Sequence, residues 1–473
     1  MKKYFPSGLT YDDILLIPQY SDISSRKLID ISTKFSRNVN LKSPIVSANM
    51  DTVTESRMAI AMALEGGLGV IHRFLSIEEQ AVEVRKVKRA QNLVIDDPAT
   101  ISQDATLEQA VNIMRENNIS GLIVCADNGT VRGIITLRDV RFKNNLNGKV
   151  KDCMTPREKL ITAPRGITAE KALYLFDKHK IEKLPLVDAK DKLIGLITAS
   201  DFQKAREHAG AAKDKQGKLL VGAAVGVKDG VERAEALVEA GADVLVIDIA
   251  HGHHKRCVDL TKDLKKKFDI DVVAGNVATA EGARDLIKAG ADAIKVGIGP
   301  GAACSTRIVA GAGVPQLSAI LDVVPVVKKA NVPLIADGGI KNSGDVAKAI
   351  AAGASTVMIG NLFSGTYESP GTYYIEDGEA FKIYRGLASR DASIDRQQVE
   401  ANAERQDRAP EGISFRVTYK GEVQKFLQIL LDGLQSGMSY TGAKNISEFW
   451  KKARFVRMTE AGARESSPRN YQV

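Results

Sequence analysis

Cysteine and aromatic side chains are both scarce in this chain, with four cysteines in 473 residues and 5% Phe, Trp and Tyr together. Cys125, Cys153, Cys257 and Cys304 form no CxxC pair and no other metal-ligand spacing. That excludes a disulfide scaffold or a zinc module and predicts a reducing compartment. Long hydrophobic runs are also missing: LLVGAAVGV from Leu219 is about half a membrane span. The opening MKKYFPSGLTYDD turns polar before an apolar signal-peptide core forms, so a cytoplasmic protein without membrane attachment is expected. The net charge of +8 is spread along the chain rather than gathered into a basic stripe with interleaved aromatics. Anionic small ligands, not nucleic acid, are the expected partners. With 44% hydrophobic and 26% charged residues, the composition is that of a packed soluble protein.

An internal repeat organises the first half. DATLEQA at Asp104 returns as GITAEKA at Gly166, GIITLRD at Gly133 returns as GLITASD at Gly195, and Ile119 returns as Ile181, each 62 residues later. Equal spacing at three points indicates duplication. Each half reads as a small βαββα unit ending strand-then-helix, over 93–150 and 151–210. The halves resemble a pair of CBS domains, whose closing G-x-I-T-x-x-D can hold a nucleotide ribose. Here that places Thr136 with Asp139 and Thr198 with Asp201, as a regulatory purine-nucleotide site or as plain caps of the closing helices.

Outside the repeat, short β-rich runs alternate with helical stretches. Eight strands are predicted, in PIVSANM, GLGVIH, LLVGAAV, VLVIDIA, VVAGNV, AIKVG, PLIADGG and TVMIG. Eight βα units predict an α/β fold, a (β/α)8 TIM barrel over 1–92 and 211–473, with the repeat inserted after the second strand. Such barrels carry their site at the C-terminal strand ends, so the residues that follow each strand are the candidates. These are Asp51, His72, Asp248 with His251, Asn276, Gly297 to Arg307, Asp337-Gly338-Gly339 and Gly360-Asn361. Glycines after strands seven and eight suit a phosphate. The loop GIGPGAACSTR sets Cys304 among glycines beside Thr306 and Arg307, either as a nucleophile or as an inert buried thiol. The histidines 72, 251, 253 and 254 lack a carboxylate at ligand spacing and are expected on the surface or in loops.

LTYDDILLIP at Leu9, MDTVTE at Met50, GNVAT at Gly275, VPQLSA at Val314, IADGG at Ile335, YRG at Tyr384, PEG at Pro410 and SGMSYTGA at Ser436 resemble the family of inosine monophosphate dehydrogenase and guanosine monophosphate reductase. The resemblance implies that Cys304 adds to purine C2, and that Thr306 and Glu411 relay a proton. It also implies nucleotide contacts from Asp337, Gly338, Gly339, Gly360, Asn361, Tyr384, Gly386, Leu387, Ala388 and Arg408. Asp337 would take the ribose unless its carboxylate merely satisfies the adjacent glycine amides, and Tyr384 would be a phosphate donor or a packing residue. Asp248, Ala250, Asn276, Gly297 and Gly299 would face NADPH, or NAD in the dehydrogenase, although Asp248 also suits a helix cap. A potassium ion on Gly299, Gly301 and Cys304 is implied together with the C-terminal TEAGARESS, which otherwise reads as a frayed tail. A homotetramer, or an octamer joined by CBS pairs, is implied as well.

Dehydrogenases of the family carry an Arg-Tyr pair in a flap, yet the stretch from Leu387 to Ala409 contains no tyrosine. Asn49, HRF at His72, DIAHG at Asp248 and AGN at Ala274 also lean towards the reductases, the CBS-containing kinetoplastid ones above all. Ala302 and Pro410 depart from the familiar serines. The sequence therefore reads as an NADPH-dependent GMP reductase producing IMP and ammonia. The alternatives are an NAD-dependent IMP dehydrogenase and a nucleotide-sensing pseudoenzyme.

Overall fold

The computed structural model describes residues 7–90, 94–95, 97–117, 119–143, 145–199, 208–390, 392 and 410–466. Eight apolar runs form β1 (Ile45–Ser47), β2 (Leu68–Ile71), β3 (Gly222–Val225), β4 (Val244–Ile247), β5 (Asp271–Val277), β6 (Ala293–Val296), β7 (Leu334–Asp337) and β8 (Thr356–Ile359). They pair in parallel in chain order, and β8 pairs with β1 to close the barrel. The eight strands expected from the sequence are the eight observed.

Alternation along each strand builds two cores at once. Val46, Leu68, Val70, Val244, Val246, Val273, Ile335 and Met358 fill the barrel interior. Their neighbours Ile45, Ile71, Leu245, Ile247, Val272, Leu334 and Val357 face outward into a second cluster. That outer cluster is covered by α1 (Ser56–Leu64), α2 (Ile77–Arg89), α3 (Gly230–Glu239), α4 (Lys255–Lys267), α5 (Ala280–Lys288), α6 (Gln316–Ala330), α7 (Ser343–Ala351) and α8 (Val423–Tyr440). Helix starts follow capping chemistry. Ser76 and Glu79 form a capping box on α2, and Thr279 and Asn342 cap α5 and α7. Gly69 lets α1 press on the barrel, since a Cβ there would lie 2.4 Å from Ala59 Cα. No helix among the described residues is long and apolar enough to cross a membrane.

Between β8 and α8 the chain makes an antiparallel sheet of β9 (Tyr374–Glu376), β10 (Glu379–Arg385) and β11 (Ser414–Thr418). At the opposite end of the chain, Lys88 at the close of α2 donates to Asp214 Oδ2 at 2.8 Å, to the Leu219 carbonyl at 3.0 Å and to Asp243 Oδ2 at 2.8 Å. Asp243 also accepts the Val221 amide at 2.8 Å. One ammonium thus joins α2 to the chain entering β3.

The chain divides into two compact units, residues 1–90 with 210–473, and residues 91–209. In the smaller unit, a helix and two strands beginning at Leu107, Gly121 and Val131 recur at Ala169, Lys183 and Leu193, with the same 62-residue spacing. The first strand differs. In the first half it is Thr100–Ser102, whereas in the second only a single bridge from Ala163 to Leu186 remains. Thr136 and Asp139 serve each other as a capping box, with the Thr136 amide and hydroxyl 2.8 and 2.7 Å from Asp139 Oδ2. Thr198 ends the strand Leu193–Thr198, while Asp201 lies outside the described residues.

Candidate active site

The C-terminal strand ends surround a cavity of about 1300 Å³. The loop after β6 delivers Cys304 to its wall. Gly297 begins that loop at φ +150°, where a Cβ would lie 2.0 Å from the Asp337 carbonyl oxygen, so only glycine passes β7 this closely. The Cys304 amide closes a turn on the Gly301 carbonyl at 3.0 Å. The Cys304 thiol donates to Thr306 Oγ1 at 3.2 Å. Cys304 is the exposed thiol, whereas Cys257 is buried in α4, where burial pushes its thiol up to about 11. Accessible thiols can react once their thiolate is stabilised, whereas thiols buried among apolar groups are inert.

The segment after Pro410 braces this loop. The Ser305 amide donates to the Glu411 carbonyl and the Ile413 amide to the Ala303 carbonyl, both at 3.0 Å. Gly412 also pairs with Cys304 and Ser389. Glu411 therefore lines the cavity with Cys304 and Thr306, and Gly386, Leu387 and Ala388 continue the wall.

A charged cluster lines the same cavity. Lys295 sits inside β6, its side chain 5% exposed, and donates to Asp337 Oδ2 at 2.8 Å and to Asn276 Oδ1. Asn276 Nδ2 in turn donates to Asp337 Oδ2 at 2.9 Å and to the Gly297 carbonyl at 2.7 Å. Arg73 Nε donates to Asp248 Oδ2 at 2.7 Å. Arg385 binds Asp51 Oδ2 through Nε at 2.7 Å, and its amide donates to Thr52 Oγ1 at 3.3 Å. Beside it, the buried Tyr384 points its hydroxyl at Met50 Sδ, 3.6 Å away. Burial, then the charges of Asp337 and Cys304, push that hydroxyl well above the usual tyrosine range, so it stays protonated.

The cavity wall collects Cys304, Thr306, Glu411, Asp337, Gly338, Tyr384, Asp248, Ala250, Asn276, Gly297, Gly299 and Gly301. Gly339, Gly360 and Asn361 are not on it. Gly339 turns towards the Tyr11 ring, and Gly360 towards the Tyr384 hydroxyl and Met50 Sδ. Arg408 lies outside the described residues. Of the two settings expected for the histidines, His72 takes the loop and not the surface: it is 2% exposed. It follows β2 directly, with Nδ1 accepting the Phe74 amide at 3.1 Å and Nε2 3.5 Å from Glu55. His251, His253 and His254 are exposed, and the described residues contain no group of three or more metal-ligating side chains. The sequence reading missed Lys295, Arg73 and Arg385. A lysine within the apolar run AIKVG was the available signal for the first, because a buried ammonium needs a partner.

Comparison with known proteins places this geometry. The family described as the IMP dehydrogenase / GMP reductase domain matches residues 8–469. An inosine-5'-monophosphate dehydrogenase of Nitrosopumilus maritimus is 49% identical over 471 residues, covering 98% of each chain. A GMP reductase of Leishmania major is 48% identical, covering 98% of this chain and 96% of its own. The crystal structure of a GMP reductase variant from Trypanosoma brucei in complex with guanosine 5'-monophosphate superposes with a TM-score of 0.92 at 47% identity, covering 98% of both chains.

Proposed function

Because the chain belongs to the IMP dehydrogenase / GMP reductase family, we propose that it is an NADPH-dependent GMP reductase, converting GMP to IMP and ammonia. The observation that carries this reading is the pairing of Cys304 with Gly412, which sets Glu411 and Thr306 on one wall with the thiol. Reductive deamination needs a proton donor beside the nucleophile, and this arrangement supplies one.

In the proposed sequence the Cys304 sulfur, as thiolate, adds to C2 of GMP, and the bond from C2 to the exocyclic nitrogen breaks. Thr306 and Glu411 deliver the proton with which ammonia departs, leaving C2 joined to sulfur. NADPH, when bound, supplies the hydride that C2 takes up, after which the carbon–sulfur bond breaks and the thiolate returns. The balance is GMP, NADPH and two protons giving IMP, NADP+ and ammonium. Asp337 would hold the ribose, and its bonds to Lys295 and Asn276 fix the carboxylate in one orientation beforehand. Tyr384, protonated throughout, offers only a donor to the phosphate end. Asp248, Ala250, Asn276, Gly297 and Gly299 would border the nicotinamide.

The cavity exceeds the roughly 300–1,000 Å³ typical of a single small-ligand site, which suits two ligands side by side. The carbonyls of Gly299, Gly301 and Cys304 would be one subunit's share of a potassium site, and no step is routed through the ion. In the smaller unit, Thr136 and Thr198 with their partner acids are proposed to bind regulatory purine nucleotides.

IMP dehydrogenase is the second reading, favoured by dehydrogenase relatives as similar as the reductases. The deciding assay offers purified protein GMP with NADPH and, separately, IMP with NAD, and follows reduced-nicotinamide absorbance. GMP-dependent NADPH oxidation is expected. Steady XMP production from IMP and NAD, with no GMP-dependent oxidation, overturns the proposal.

A further inference from the structure

Gln316 is the first residue of α6 and is 2% exposed, a buried polar side chain at a helix start. Its amide nitrogen donates to two carbonyls, Val296 at 2.8 Å and Asp337 at 3.1 Å. These are the last residues of β6 and β7, adjacent strands paired up to Val296 and Ala336. Immediately beyond, β6 becomes the loop that carries Cys304, and β7 ends in the carboxylate held by Lys295 and Asn276. Both protons of one NH2 group thus tie the base of the nucleophile's loop to the base of Asp337. Gly297 lies in the gap that this tie closes, where a Cβ would meet the Asp337 oxygen at 2.0 Å and Gln316 Nε2 at 3.2 Å.

We propose that Gln316 is a positioning residue, a strut between β6 and β7 that sets the distance from the Cys304 sulfur to the Asp337 carboxylate. The ribose and the purine that carries C2 are joined through a single glycosidic bond. A nucleotide anchored on Asp337 therefore presents C2 to sulfur only if that distance is right. The inference rests on the reading of Cys304 as the nucleophile and Asp337 as the ribose ligand. It does not depend on the direction of the reaction, because both activities of the family begin with the same sulfur–carbon bond.

Gln316→Met keeps volume and removes both donors. Misplacement by about 1 Å costs on the order of 100-fold in rate, so kcat per folded active site is expected to fall tenfold to 100-fold. KM for GMP should stay within about threefold, and Cys304 in the free enzyme should alkylate with iodoacetamide at the wild-type rate. Gln316→Glu supplies the second readout. A buried carboxyl facing two carbonyls donates only when protonated, so its activity relative to wild type should rise as pH falls, while the Met variant shows no such slope. A well-folded Met variant with wild-type kcat overturns the proposal, as does a Glu variant whose pH profile matches wild type. An equal rise in KM at constant kcat overturns it too, since Gln316 would then act on ground-state binding. Should wild type fail to oxidise NADPH with GMP, the reductase reading has failed, and the same comparisons run with IMP and NAD decide the role of Gln316.

Discussion

Replacing Lys295 by Met tests the charged cluster that prepares Asp337. At 2.8 Å the pair attracts by about 6 kcal/mol at an effective dielectric of about 20, most of it offset by the desolvation of two charges. What removal costs is governed by the partner left behind. Losing one member of a buried pair typically costs about 3–5 kcal/mol. Asp337 is 20% exposed and keeps its bond from Asn276, so we expect about 2–3 kcal/mol and a midpoint lowered by a few degrees. Asp337→Asn leaves the more deeply buried Lys295 ammonium with only the amide oxygens of Asn276 and the new residue, and should cost at least as much, about 3–5 kcal/mol. In the double variant no orphaned charge remains, so its loss should fall short of the sum of the two by at least about 1 kcal/mol. Denaturant or thermal unfolding of all four proteins at pH 7 measures the cycle. Strictly additive losses, or a Lys295→Met variant as stable as wild type, would refute the claim that the cluster is held together by this pair.

Cys304→Ala should abolish turnover while GMP still binds, as judged by calorimetry, and substantial residual activity would remove the thiol from the mechanism. Excising residues 93–210 with a short linker should preserve basal turnover and abolish any response to purine nucleotides, and a folded, still-responsive deletion would place the effector site in the barrel unit. Lys382 is 3% exposed in β10, and burial lowers its ammonium to about 8. In the unfolded chain lysine keeps its proton to about 10.4, so between pH 8 and 10 the unfolded state binds more protons and the folded state gains stability as pH rises. Wild type should therefore gain stability relative to Lys382→Met from pH 7 to pH 10 in paired melting curves, and a difference that does not change with pH would contradict the burial argument.

The barrel was legible because its signal is local and repeated. Nearly every strand is a short apolar run whose alternate residues face two different cores, as Val46 and Ile45 or Val246 and Leu245 do. The cysteine loop was legible for a related reason, since glycines at a strand end mark a backbone that must pass another closely, as Gly297 does. The polar residues that brace the site were less readable. Arg73 meets Asp248 and Arg385 meets Asp51 across separations in sequence that no spacing rule anticipates, and Gln316 reads as an ordinary helix start. His72 sits in a loop as expected, but nothing in its neighbours reveals that it would be buried there. In the repeat, the shared 62-residue spacing predicted the helix and the hairpin strands correctly, but not that the first strand would shrink to a single bridge at Ala163.

The Lys88 clamp bears on how such a chain can change over generations. It fastens α2 to Asp214, Leu219 and Asp243, so the barrel's two chain ends are joined by bonds made entirely within the larger unit. The remaining cost of spanning the gap is the entropy of loop closure, which grows only logarithmically, by about 0.6 kcal/mol for each doubling of length. A docking point of this kind makes the inserted unit exchangeable cargo. It can lengthen, lose a strand or be replaced by a few residues while the bonds that hold the two barrel segments together stay the same.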